Sequence, residues 1–207
     1  MNWNKHHNLE GCHAFLGASK YAWLGKTEEE LIESYCNSYA TTIGTLLHAY
    51  ASDCIRFRER LRKTDAKGVK FDLMRKGIPE FAIDIQAVFP NLMNYVNDAV
   101  GFGMDPEVVL YYSDFCFGTA DAIQATSDTL RIHDLKTGTT PAKMDQLLIY
   151  AALFYLEYNF KPERFHTELR IYQSDEIVVY EPEDAKLLEI MERIVEGDRV
   201  LQSMKEV

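Results

Sequence analysis

No stretch of this chain approaches the roughly 18 consecutive apolar residues of a membrane-spanning helix, so no membrane partner is expected. Cysteine is sparse. Cys12, Cys36, Cys54 and Cys116 include no pair in CxxC spacing, which argues against a zinc ribbon or a redox motif. Free, buried thiols in a reducing compartment are the expectation. There is no internal repeat, low-complexity tract or Pro/Gly-rich linker. The N-terminal stretch Met1 to His7 is polar and carries no apolar signal-peptide region, so a cytoplasmic location is expected. Positive charge is also in short supply: 22 Lys and Arg face 32 Asp and Glu, for a formal net charge of -10. Affinity for nucleic acid comes mainly from Lys and Arg on phosphates, so a generic nucleic-acid coat is disfavoured. An acidic enzyme acting on nucleic acid would need metal-binding carboxylates and a local basic strip.

What is present is a core-forming composition. The 207 residues, 47% hydrophobic and 26% charged, suit one domain spanning 1–207, mainly helical over 1–105 and sheet-containing over 106–207. Ala18 to Trp23 reads as a short helix with an opening contact at Ser19. Thr27-Glu28-Glu29-Glu30 resembles a capping box. The helical pattern then runs to about Arg62 with a break near Gly44. Thr64 to Pro79, polar and charged, reads as a surface loop. Phe81 to Val100 is amphipathic, with Pro90 expected to kink or split it, and Gly101 to Pro106 reads as a turn. Glu107–Tyr112, Phe115–Ala125 and Thr129–Leu135 are β-branched and aromatic runs separated by Asp114 and Ser127-Asp128. Lys143–Tyr158 is helical, Phe165–Tyr172 and Ile177–Tyr180 are strands, and Glu183–Met204 is a closing helix. This order predicts an α/β fold with a mixed sheet and helices on both faces.

The chemistry concentrates between residues 107 and 150. Gly118 inside a strand signals a bulge or a close approach. Asp121 follows among apolar neighbours, where a carboxylate needs a partner or a metal. Thirteen residues on comes His133-Asp134-Leu135-Lys136-Thr137-Gly138. Alternation puts Asp134 and Lys136 on one face and Leu135 and His133 on the other, and a hairpin would point Asp121 and Asp134 into one space. Hard oxygen ligands of this kind suit Mg²⁺ or Mn²⁺, and an ammonium beside them can steady developing charge. From spacing alone, a surface salt bridge between Asp134 and Lys136 is an equal reading. Gln146 and Tyr150, four apart on the next helix, share a face, as core hydrogen-bonding groups or as donors to a substrate. Arg56, Arg60 and Lys63 are spaced to share a helical face, either as a phosphate grip or as a solvated helix end.

The runs GTADAI, HDLKTG and QLLIYAALFYLEY, in this order, resemble the RecB-like branch of the PD-(D/E)XK nuclease superfamily, most of all phage-borne exonucleases related to the CRISPR-associated RecB-like exonucleases. The motif-bearing resemblance covers Glu107 to about Tyr158, and Gly44-Thr45-Leu46-Leu47-His48 resembles that branch's G-x-x-x-H helix. The resemblance implies a restriction-endonuclease-like core and an Mg²⁺- or Mn²⁺-dependent exonuclease acting on DNA ends in recombination or DNA processing. It implies Asp121, Asp134, the Leu135 carbonyl and His48 as metal ligands, with Glu107 either a further acidic ligand or a solvated strand-start residue. Lys136 would be the catalytic lysine, and Gln146 and Tyr150 the helix pair beside the substrate. Iron–sulfur relatives carry a C-terminal cysteine group, and no cysteine follows Cys116 here, so no iron–sulfur cluster is expected. DNA is the expected partner, with room for a recombination or single-strand-annealing protein and for a homo-oligomer. The location would be the bacterial host cytoplasm if the chain is phage-encoded. The alternative is a non-catalytic DNA- or protein-binding module on the same fold.

Overall fold

In the computed structural model, which describes residues 5–9 and 12–205, Thr27 opens the first long helix as its sequence predicts. Its hydroxyl accepts the Glu30 amide at 3.2 Å, and the Glu30 carboxylate accepts the Thr27 amide at 2.9 Å. This is a reciprocal capping box, and α1 runs Glu28–Asn37. The segment before it, Ala18–Gly25, is 3-10 rather than α-helical, distorted at Lys20 and preceded by Gly17 with no side-chain cap; Ser19 therefore makes no opening contact. Met1 to Asn4, part of the polar N-terminal stretch, lie outside the described residues.

The chain breaks at Ser38-Tyr39 and resumes as α2, Ala40–Arg56. The break expected at Gly44 is absent because Gly44 serves packing. A Cβ there would meet Thr137 Oγ1 at 2.9 Å, so glycine lets the helix approach the loop after Leu135. Nor does the helix reach Arg62. Arg58 adopts a left-handed φ of 59, and the Arg58 and Glu59 amides bond back to the Ile55 and Cys54 carbonyls at 3.1 and 2.8 Å. That is the Schellman closure, a position usually filled by glycine. The expected surface loop over 64–79 contains α3, Ala66–Arg75, which buries Val69 and Leu73 one turn apart and is followed by Gly77 at φ 91. α4, Ile85–Phe102, runs through Pro90 without a break. Proline forfeits one amide bond early in the helix, while the Asp84 side chain caps the Ala87 amide at 3.1 Å. The turn expected from Gly101 begins only at Gly103, whose φ of 70 ends α4.

Five strands follow: β1 (Asp105–Ser113), β2 (Cys116–Ala125), β3 (Thr129–Leu135), β4 (His166–Gln173) and β5 (Glu176–Tyr180), in sheet order β1-β2-β3-β4-β5. All neighbours are antiparallel except β3 and β4, whose parallel pairing needs a crossover. α5 (Asp145–Glu157) is that crossover, and α6 (Asp184–Lys205) follows β5. The architecture is α/β, a five-stranded mixed sheet flanked by helices. On one face α2, α3 and α4 pack Leu47, Ile55, Leu92 and Val96 onto Leu135 and Tyr172. On the other, α5 and α6 pack Leu147, Ala151 and Leu187 onto Leu130, Ile132 and Leu169. All four thiols are free, but only Cys54 is buried, and Cys12 is exposed. Among the described residues no helix is long and apolar enough to cross a membrane.

Candidate metal centre

The site begins where the sheet forks. β2 and β3 pair only from Ala122↔His133 to Ala125↔Leu130. Beyond His133, β3 stays with β4 through Asp134↔Ile171 and Leu135↔Tyr172, and β2 stays with β1. The Leu135 amide, facing the gap, has no strand partner, and Asp121 Oδ2 accepts it at 3.1 Å. The same oxygen lies 3.3 Å from His48 Nδ1 on α2. Across the hairpin from Asp121 stands Glu107, the two bracketed by the pairs Pro106↔Ala122 and Val108↔Ala120. Glu107 has φ 54, a left-handed conformation that costs a non-glycine residue roughly 1–2 kcal/mol. Ala120 and Ala122 pack into opposite cores, so the side-chain alternation of β2 slips at Asp121. The outcome is a group drawn from three elements: His48, Glu107 and Asp121 each place a ligand atom within 4.8 Å of the others.

Asp134 and Lys136 share a face, as alternation predicts. Lys136 Nζ donates to Asp134 Oδ1 at 3.0 Å and to Gln146 Oε1 at 2.9 Å, and Gln146 Nε2 donates to Tyr150 Oη at 2.9 Å. A chain of bonded groups thus runs from the strand to α5. Tyr150 packs over Gly118, where a Cβ would meet its ring carbon Cε1 at 2.7 Å; glycine in the strand makes the close approach its position suggests. Asp134 is 2% exposed. Its Oδ2 lies 2.9 Å from Lys136 Nζ but off the hydrogen-bonding direction, and so is buried without a hydrogen-bond partner. His133, on the opposite face, is buried against Phe102 and Tyr172.

The electrostatics describe carboxylates crowded together. Burial, reinforced by the Asp121 charge and opposed by Lys136, pushes the Asp134 carboxyl up to about 6. Burial and the neighbouring Asp121 raise Glu107 as well. His48 is raised by its hydrogen bond to Asp121, against burial, with the charges of Asp121, Asp134 and Glu107 adding to the effect.

A cleft of about 800 Å³ opens over the cluster. One face of α2 lines it with Thr41, Thr45, His48, Ser52 and Arg56, and the sheet side supplies Glu107, Thr119, Asp121 and Thr137. The hydroxyls carry no motif of their own in the sequence, although Thr41, Thr45, His48 and Ser52 recur at helical spacing on the His48 face. Not every expected residue converges. Asp134 stands outside the three-ligand group, whereas Leu135 does reach the site, its amide bonded to Asp121. Arg56 lines the cleft, but Arg60 and Lys63 do not. Because α2 ends at Arg56 and the chain turns at Arg58, the three cations share no helical face. A second grouping, His166, Glu168 and Glu181, is a poorer cation site, since Arg131 and Arg170 already hold Glu168 at 3.3 and 2.9 Å. No family model, curated protein or solved structure matches this chain.

Proposed function

We propose that this chain is a metal-dependent DNA nuclease of the PD-(D/E)XK superfamily, on a restriction-endonuclease-like core, hydrolysing phosphodiester bonds as an exonuclease at DNA ends. The observation that carries the reading is the convergence of His48, Glu107 and Asp121 at the mouth of a forked sheet, beside an ammonium held between Asp134 and Gln146. The donor set fits a hard divalent cation: the carboxylates are crowded, two resist ionisation, and one buried oxygen of Asp134 faces the Lys136 ammonium without a hydrogen bond.

Mg²⁺ or Mn²⁺ would be held by His48, Glu107 and Asp121, with Asp134 alongside, and would supply Lewis acidity and a bound water more acidic than bulk water. Around it the protein's own groups orient and stabilise. The Leu135 amide fixes one oxygen of Asp121. Lys136 brings an ammonium to the place where charge builds on the phosphate. Gln146 and Tyr150 anchor that ammonium from α5, so its position does not depend on Asp134 alone. Arg56, at the end of the α2 face, lines the cleft and would meet a flanking phosphate.

The test is cleavage of end-labelled linear and closed circular DNA, single- and double-stranded, with Mg²⁺, Mn²⁺ or EDTA. Metal-dependent loss of linear DNA with circles spared is expected, abolished in Asp134→Asn and Lys136→Ala. Wild-type activity in both folded variants would remove the centre from this site. No cleavage of any substrate by folded protein would favour the non-catalytic binding module.

A further inference from the structure

Side-chain alternation turns Glu107, Val109 and Tyr111 of β1 outward. β2 presents Phe117 beside Tyr111 and Thr119 beside Val109, the register pairs being Tyr111↔Phe117 and Val109↔Thr119. Thr119 and Glu107 line the cleft over the His48–Glu107–Asp121 group. The opposite side of this hairpin is covered: Leu110 and Ala120 are buried beneath α5 and α6. The outward side carries Phe117, Val109 and Tyr111 at 61%, 56% and 46% exposure. The Tyr111 and Phe117 rings stack at 6.4 Å with 28° between their planes, and the Tyr111 hydroxyl is tied to Asp114 at 3.0 Å. A rigid aromatic platform therefore continues the cleft floor, two register pairs beyond Thr119.

We propose that this platform stacks the bases of an unpaired nucleic-acid strand leading to the metal cluster, making single-stranded ends the substrate. The inference rests on the nuclease reading for its destination but not for its contacts. Charge favours it over a duplex-binding surface. Among the described residues lining the cleft, Arg56 is the one lysine or arginine, and the whole chain is acidic, so phosphate attraction is weak and another contact must hold the strand. Stacking on exposed rings is such a contact, and it tolerates any base. In a duplex the base faces are occupied by each other, so only unpaired nucleotides can use the platform.

The test measures the anisotropy of fluorescein-labelled oligo(dT), and of a blunt duplex, with full-length protein in Ca²⁺, alongside Phe117→Ala, Tyr111→Ala and Phe117→Trp. Base–aromatic stacking corresponds to about 5- to 150-fold in affinity. Each alanine variant is expected to weaken oligo(dT) binding within that range, with Phe117→Trp restoring it and duplex binding unmoved. Both rings are exposed, and unchanged melting temperatures confirm intact folds. Oligo(dT) affinity that ignores all three substitutions, or no oligo(dT) binding by wild type, overturns the proposal. So does a dimer that the alanine variants dissociate without changing oligo(dT) affinity, which would assign the patch to self-association. Ring-dependent binding by a protein that cleaves nothing in Mn²⁺ would sink the nuclease reading and leave the platform standing. Cleavage with ring-independent binding would do the reverse.

Discussion

Replacing Asp134 with asparagine should stabilise the metal-free protein while destroying its activity. The carboxyl titrates at about 6 in the folded chain against an ordinary 3.8, because burial and the Asp121 charge oppose ionisation more than Lys136 favours it. The folded state thus holds this proton more tightly than the unfolded chain does. Its stabilising contribution is complete below the unfolded value and is lost as pH rises through about 6. A tenfold difference in proton affinity between the two states corresponds to about 1.4 kcal/mol, so ionised Asp134 costs about 3 kcal/mol above that pH. Asparagine matches the neutral form in shape and removes the cost. For a chain of this length that gain corresponds to about 6–12 °C in melting temperature. The assay is thermal unfolding of both proteins in EDTA across pH, then with Mn²⁺. The variant should melt higher at about pH 8, and the gap should close as the buffer approaches pH 4. Saturating Mn²⁺ should lift the wild type by about 3 kcal/mol at a hundredfold excess over Kd and the variant by less. A variant melting at or below wild type at alkaline pH, or a gap indifferent to pH, would refute the claim that Asp134 is held ionised against its surroundings.

Two further substitutions probe the supports of the site and of the sheet. Gly118→Ala places a Cβ 2.7 Å from the Tyr150 ring, so the ring, and with it Gln146 and Lys136, must move. We expect at least a tenfold fall in kcat, of the size general acid–base or electrostatic contributions carry, with a smaller effect on KM; unchanged steady-state kinetics would show that Tyr150 does not hold the lysine. Tyr172→Phe removes the hydroxyl that donates to Asp98 at 2.7 Å and meets His133 Nδ1 at 3.2 Å. Asp98 keeps Arg170 at 3.2 Å, so a loss of about 1–3 kcal/mol is expected, read as a lower urea midpoint at constant slope.

Local periodicity explains what is legible in the sequence. The strand runs, the turns at Asp114 and Ser127-Asp128, and the facing of Asp134 with Lys136 and Gln146 with Tyr150 depend only on residues two to four apart, and each appears as its spacing predicts. The capping box at Thr27 is equally local. What escapes depends on distant contacts or unusual backbone. Arg58 ends α2 in a conformation that glycine normally signals, so periodicity alone carries the helix too far and lays a basic strip along a face that does not exist. α3 hides in a charged segment because only Val69 and Leu73 mark its buried side; Gly77 is the stop signal that could reveal it. The meeting of His48 with Asp121 joins residues far apart in sequence; no spacing rule reaches that far, and only the family resemblance puts the two in one ligand set. The slip in β2 and the left-handed Glu107, which aim the acidic groups, leave no mark in the hydrophobic pattern.

Asp121 has two duties on one oxygen, fastening the fork through the Leu135 amide and facing His48. The two can be separated by chemistry but not by deletion. An asparagine at this position retains an acceptor for the amide and gives up the negative charge, whereas an alanine leaves that amide facing an open seam. On the proposed nuclease reading, a descendant that abandoned catalysis and lived on as a binding protein would therefore be expected to carry asparagine here, its sheet intact. The same exchange is the route by which an engineer could turn this cleft into an inert receptor.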